Sequence, residues 1–178
     1  MPDAVILPGR LYGPAAPLLM YTGDVAERRG ATPHRHWWSR EPPDPFEAGI
    51  EAWVRDEAVP VLDSVGGSPF LVGTSLGTNA AGLAAERSLP AVWLTPVLTV
   101  PWIVAGLRRA TAPVLLIGGT ADRVWDGALA RRLSPHVFEV EGADHGMYVP
   151  GPLPDSIEVL GRVVVAVEEF LDTIDWPG

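Results

Sequence analysis

The sequence contains no cysteine, no lysine and no glutamine, and its single asparagine is Asn79. Without cysteine there can be no disulfide, no thiolate metal site and no thiol nucleophile. All 13 basic residues are arginine, which removes a phosphate-loop lysine, a Schiff base and a serine–lysine dyad. With side-chain amides so scarce, negative charge developing in a site has to be met by backbone N–H groups. Positive charge is short as well. The formal net charge of −9 argues against nucleic acid and against an anionic membrane surface as partners. Long apolar runs are also missing. Residues 89–107 carry no charge, but Pro90, Pro96 and Pro101 interrupt them, and Thr95 and Thr99 fall among them. A membrane helix needs about 20 mostly apolar residues, so this stretch reads as a buried strand, a loop and a short helix. The start, Met1 to Gly9, lacks the basic region and the apolar length of a secretory signal, and the expected location is the cytoplasm.

What remains is ordinary for a globular protein: 47% hydrophobic and 20% charged residues. A length of 178 suggests one domain, residues 1–178, able to bury a core without metals or disulfides.

Apolar runs and turn residues divide the chain regularly. Val5-Ile6-Leu7, stopped by Pro8-Gly9, predicts a first strand. Residues 14–29 fit a helix, with Pro14 and Pro17 in its first turns and Gly30 ending it. His34 to Trp38 predicts a second strand. A helix over 46–65 follows, with Phe46, Ile50, Trp53, Val54 and Val61 on one face, and Pro60 is expected to kink or shorten it. Phe70 to Val72, Ala91 to Leu94, Pro113 to Gly119 and Val137 to Val140 predict four more strands. Helices are predicted over 102–109, 125–133 and 157–174, the last with an apolar face from Val159 to Leu171. Alternating strands and helices imply an α/β fold: a doubly wound, mostly parallel six-stranded sheet flanked by helices, with its sites at the carboxyl ends of the strands. No insertion is long enough for a lid domain.

Chemistry concentrates at three strand ends. Gly73-Thr-Ser-Leu-Gly77 follows the third strand, and Leu76, Ala80, Leu83 and Ala84 then recur at helical spacing. A G-x-S-x-G between strand and helix is the setting of a nucleophile elbow, which holds Ser75 in a strained turn above the sheet. A Cβ at position 73 or 77 would crowd the neighbouring strand or helix. The N–H of Leu76, at the helix start, is free to face an oxyanion. The fifth strand is followed by Gly118-Gly-Thr-Ala-Asp122, and the sixth by Glu141-Gly-Ala-Asp-His145-Gly146. Ser, Asp, His is the chain order such a sheet uses. His145 would take the Ser75 proton, and Asp122 would hold the imidazole. Asp122 could instead cap the next helix. Asp126 is the alternative acid, although it falls inside that predicted helix, and Asp144 reads as shaping its loop. His34 and His36 share a face of an edge-like strand with too few ligands for a metal. His136 reads as solvent-exposed.

On Pro8-Gly9-Arg10, Gly73 to Gly77, Gly118 to Asp122 and Gly142-Ala-Asp-His145, the chain from Val5 to Leu171 resembles the α/β-hydrolase superfamily. Within it, the chain is similar to the small dienelactone-hydrolase-like serine hydrolases, which have no lid. It departs from the pattern at Pro8-Gly9, where members often carry His-Gly. The resemblance implies a hydrolase of small esters, thioesters or lactones that forms an acyl-Ser75 intermediate, with no cofactor and no metal. It also implies that the second oxyanion N–H comes from Arg10, with Leu11 as the alternative. The Arg10 side chain could in addition meet an anionic substrate group. Leu11, Tyr12, Trp102, Trp125, Met147 and Tyr148 lie in loops at or beside the rim and are the expected pocket walls. The expected partner is a small-molecule substrate, and a homodimer is left open. The other reading is a hydrolase-like scaffold that binds a ligand or protein with little turnover. An exposed apolar patch within 89–107 would serve that role as an interface.

Overall fold

Short aliphatic runs bounded by turn residues cannot complete a helix, and here they pair side by side. The computed structural model describes residues 1–44 and 46–177. Its strands are β1 (Asp3–Leu7), β2 (Thr32–Arg35), β3 (Phe70–Thr74), β4 (Ala91–Leu94), β5 (Val114–Gly119) and β6 (His136–Val140). Its helices are α1 (Pro17–Arg28), α2 (Ile50–Val65), α3 (Ala81–Arg87), α4 (Pro101–Arg109), α5 (Gly127–Leu133) and α6 (Leu153–Thr173). The strands form one six-stranded sheet in the order β2-β1-β3-β4-β5-β6, and every pairing is parallel.

Parallel strands need crossovers, and the crossovers cover both faces of the sheet. Helices α2, α3, α4 and α5 pack on one face, around Val54, Leu83, Ile103 and Ala130. Helices α1 and α6 pack on the other, around Leu19, Val163 and Phe170. The central strands β3, β4 and β5 are therefore buried on both sides, which is why they are apolar without alternation. The connection from β4 to β5 holds only a loop and α4. Strand order reverses at β1, whose neighbours β2 and β3 lie on opposite sides. In open α/β sheets, ligands bind in the crevice at such a reversal, beyond the carboxyl ends of the strands.

Several boundaries differ from the sequence expectations. The second strand runs Thr32–Arg35 rather than 34–38. His36 N donates the last bond to β1, at Ile6 O (3.0 Å), and Trp37 and Trp38 leave the sheet. Helix α2 begins at Ile50 rather than 46, because its N-cap Gly49 is left-handed at φ 97°, and Phe46 is exposed. Pro60 does not shorten α2, which continues to Val65. Pro60 and Asp56 are both exposed, so the Asp56 carbonyl that loses its N–H partner can meet water. Helix α5 begins at Gly127, with Asp126 as its N-cap rather than within it. His136 is not solvent-exposed but half-buried, its ring edge-on to Phe170 at 5.2 Å.

Residues 89–107 form β4, a loop and most of α4, and Val97, Leu98, Val100, Ile103, Val104 and Leu107 are all buried. They present no apolar patch, which removes the feature that favoured a pure binding module. Among the described residues, no helix is long and apolar enough to cross a membrane.

Candidate active site

The turn after β3 is built by two close approaches. A Cβ on Gly73 would come within 2.6 Å of the Trp93 ring, and one on Gly77 within 2.5 Å of Leu7 O. Only glycine lets the chain run between β4 and the end of β1. Ser75 between them has φ +49°, a left-handed conformation that costs a non-glycine residue about 1 kcal/mol. The chain continues as a 3-10 turn, Ser75–Ala80, before α3. Side chains brace this turn. Thr78 Oγ1 donates to Ser75 O (2.6 Å), Asn79 Nδ2 donates to Leu76 O (2.9 Å), and Trp102 Nε1 donates to Asn79 Oδ1 (2.7 Å). Leu76 is fully buried. Its N–H belongs to the first turn of a helix, where no intrahelical carbonyl can reach it.

Two more loops converge on Ser75. After β5, Asp122 N donates to Gly119 O (3.1 Å), and Asp122 Oδ1 accepts from Val124 N (3.0 Å). This leaves Oδ2 for His145, whose Nδ1 lies 2.7 Å away. His145 Nε2 in turn lies 2.8 Å from Ser75 Oγ. A carboxylate only accepts hydrogen bonds, so the proton belongs on Nδ1, and Nε2 is left to accept from the serine hydroxyl. The Asp122 side chain is 2% exposed and that of His145 44%. The acid is sealed inside, while the imidazole opens to whatever approaches the rim. The His145 loop is shaped by Asp144, whose Oδ1 accepts from Gly146 N (2.8 Å) and Tyr148 N (2.9 Å). It is tied to the β5 loop by Ala121 N donating to Ala143 O (3.0 Å) and by Gly142 N donating to Thr120 Oγ1 (2.8 Å). Asp126 faces elsewhere and caps α5 by accepting from Leu129 N (2.8 Å).

Solved structures share this architecture. The chain is similar to Est1E from Butyrivibrio proteoclasticus at TM-score 0.76 and 14% identity, over 98% of this chain and 88% of that one. It is similar to a protein of the alpha/beta superfamily from Xanthomonas campestris pv. campestris at TM-score 0.71 and 19% identity, over 97% and 99% of the two chains. Mouse alpha/beta hydrolase domain-containing protein 10 aligns at TM-score 0.66 and 15% identity, over 97% and 90%. The fold is that of the α/β-hydrolases. No protein-family model matches the sequence, and no curated protein matches it.

On this α/β-hydrolase scaffold the six expected pocket walls separate by burial into three groups. Leu11, Tyr12 and Tyr148 are exposed and have surface to offer a ligand. Trp125 and Met147 do not: both are buried in the core. Trp125 packs on Gly118 and donates its Nε1–H to Glu139 Oε2 (2.7 Å). Trp102 is half-buried and committed to Asn79. Arg10 is exposed, and its Nε donates to Pro42 O (3.4 Å). His34 pairs with Asp3 (2.7 Å) and His36 with Glu57 (3.2 Å). Among the described residues, no group of three His, Asp or Glu is placed to hold a metal ion.

Some supporting residues were not singled out from the sequence. Thr78 and Asn79 brace the elbow from inside the motif's own turn, and their polar side chains in an apolar helix start were the available signal. Trp38 and Glu57 carried none, because the contact that matters to each lies some 20 to 30 residues away along the chain.

Proposed function

We propose that this chain is a serine hydrolase that cleaves small esters, thioesters or lactones through an acyl-Ser75 intermediate. The observation that carries this reading is the unbroken hydrogen-bonded line from Asp122 through His145 to a left-handed Ser75. Ser75 Oγ attacks the carbonyl carbon as its proton passes to His145 Nε2, and Asp122 stabilises the imidazolium. The tetrahedral oxyanion is received by the Leu76 N–H and by that of Arg10 or Leu11, since side-chain amides are not at hand. His145 then returns the proton to the leaving group. Water, activated by the same imidazole, releases the acid from Ser75. The protein acts as one domain in the cytoplasm, where a chain without cysteine loses nothing to reduction. Arg10, at the β1 rim, suits substrates with an anionic group, and Leu11, Tyr12 and Tyr148 suit a modest acyl or aryl group.

A fluorophosphonate probe followed by peptide mass analysis tests the nucleophile, and a panel of p-nitrophenyl esters tests turnover. Methyl ferulate belongs in the panel because a structure of Est1E, which shares this fold, has ferulic acid bound. Labelling confined to Ser75 together with ester turnover is the expected result. An unlabelled Ser75 in folded protein would overturn the reading.

A further inference from the structure

The loop that leaves β1 has almost nothing of its own to hold it, since Arg10, Leu11 and Tyr12 are all exposed. It is fastened instead at three points to residues 37–42. Gly9 O accepts the Trp38 indole N–H (3.0 Å), and Arg10 Nε donates to Pro42 O (3.4 Å). The Trp37 ring lies flush on Gly13, where an added Cβ would come within 2.7 Å of ring atom Cη2. Residues 37–42 are fastened in turn by one carboxylate from α2. Glu57, buried with its side chain 4% exposed, accepts from Ser39 N (2.9 Å), from Ser39 Oγ (2.5 Å) and from Arg40 Nε (3.4 Å), and meets His36 Nε2 (3.2 Å). Trp38 completes the clamp by packing against the His36 ring at 5.0 Å and the Trp53 ring at 5.2 Å.

The bond from Trp38 has a geometric consequence. Gly9 C=O and Arg10 N–H belong to one peptide unit. That unit is trans, because the cis bond among the described residues is Trp176–Pro177. In a planar trans peptide the carbonyl and the N–H point in opposite directions. By holding the Gly9 oxygen, Trp38 fixes the Arg10 N–H to point away from itself. Among the described residues nothing accepts that N–H. The unit lies against the nucleophile: a Cβ on Gly9 would sit 3.6 Å from Ser75 Cβ. A donor on the carbonyl also polarises the peptide and makes its N–H a better donor.

We propose that Trp38 and Glu57 are positioning residues of the oxyanion hole, Glu57 fixing residues 36–40 so that Trp38, through Gly9 O, aims the Arg10 N–H at the oxyanion. This rests on the hydrolase reading and selects Arg10 over Leu11 as the second donor.

Trp38→Phe keeps most of the ring and removes the N–H. For a neutral ester, kcat should fall about tenfold with KM nearly unchanged, because the oxyanion donor is used in the transition state and not in the ground state. Phenylboronic acid, whose Ser75 adduct carries the oxyanion charge, should lose affinity by the same factor. Amide hydrogen exchange at residues 10–12 should speed up. Glu57→Gln should give the same pattern at smaller amplitude, as an independent test of the clamp. A variant that only loses folded protein lowers kcat but leaves boronate inhibition of the remaining enzyme at the wild-type value, and that result would overturn the proposal. Wild-type kcat in both variants would overturn it as well. Wild-type protein whose Ser75 takes no fluorophosphonate would instead overturn the hydrolase reading, and the oxyanion role with it.

Discussion

The two halves of the sheet's carboxyl rim are built by different means. On the β3, β5 and β6 side, Ser75, Asp122 and His145 each sit within a few residues of their own strand, and a local turn shapes each loop. Gly73 and Gly77 make the Ser75 turn, Gly119 O accepts from Asp122 N, and Asp144 folds the loop that carries His145. On the β1 and β2 side, the loop after Leu7 is shaped by side chains from far along the chain, Trp37, Trp38 and, through them, Glu57. Backbone turns fix geometry against hard steric limits. A side-chain clamp fixes it through contacts that can each be weakened by degrees. The first half is therefore expected to fail outright when altered, and the second to fail in proportion.

Ser75→Ala gives the widest separation between the halves. It should lower kcat by several powers of ten while leaving the thermal midpoint close to wild type, as little burial is at stake. Ser75→Gly should be equally inactive and no less stable than Ser75→Ala, since glycine adopts φ +49° without strain; a clearly less stable glycine variant would contradict the strained turn. Asp122→Asn retains an acceptor for Val124 N but can no longer enforce the Nδ1–H tautomer of His145. A drop of roughly 10³–10⁴ in kcat is expected, and a loss below tenfold would move the acid elsewhere. Gly77→Ala tests the turn itself. Its Cβ would press on the backbone carbonyl of Leu7, and denaturant unfolding should show a loss of about 1–3 kcal/mol. The smallest effect belongs to the clamp and depends on pH. Burial alone would raise the Glu57 carboxyl, but the bonds from Ser39, Arg40 and His36 outweigh it and hold it below the ordinary glutamate range. A carboxyl lowered in the folded state adds stability above its unfolded pKa of 4.5 and loses it as pH falls further. Urea midpoints of wild type and Glu57→Gln should differ most at neutral pH and converge in acid. A gap that persists unchanged below pH 4 would mean that the charge of Glu57 contributes nothing.

The same contrast explains what could be read from the sequence. β4 stands where Ala91-Val-Trp-Leu94 placed it. β1, β3 and β5 fall within a residue or two of their apolar runs, because strands buried in the sheet have to be apolar throughout, and the half-buried edge strand β6 starts one residue before its run. The strand–G-x-S-x-G–helix setting and the Asp and His after β5 and β6 are local patterns, and the structure brings Ser75, Asp122 and His145 together. The β2 region was less legible. His-Arg-His-Trp-Trp has the composition of a strand, yet its last two residues serve the loop after β1 rather than the sheet, and no local pattern tells a tryptophan bound for a sheet from one bound for a distant carbonyl. Trp125 and Met147 were misplaced for a related reason. A loop position suggests access to the rim, but Gly118 leaves a slot for the Trp125 ring, and the loop folds Met147 inward.

The line from Ser75 to His145 also bears on the order in which the chain is made. The two residues are 70 positions apart, and β6, which carries the histidine loop, follows the other five described strands in the chain. Until it docks on β5, Ser75 Oγ lacks the His145 Nε2 that lies 2.8 Å from it in the folded chain. On the proposed hydrolase reading, a chain that ends before His145 would hold Ser75 without its base and would leave esters and thioesters uncut. On that reading, reactivity would be withheld until β6 docks beside β5.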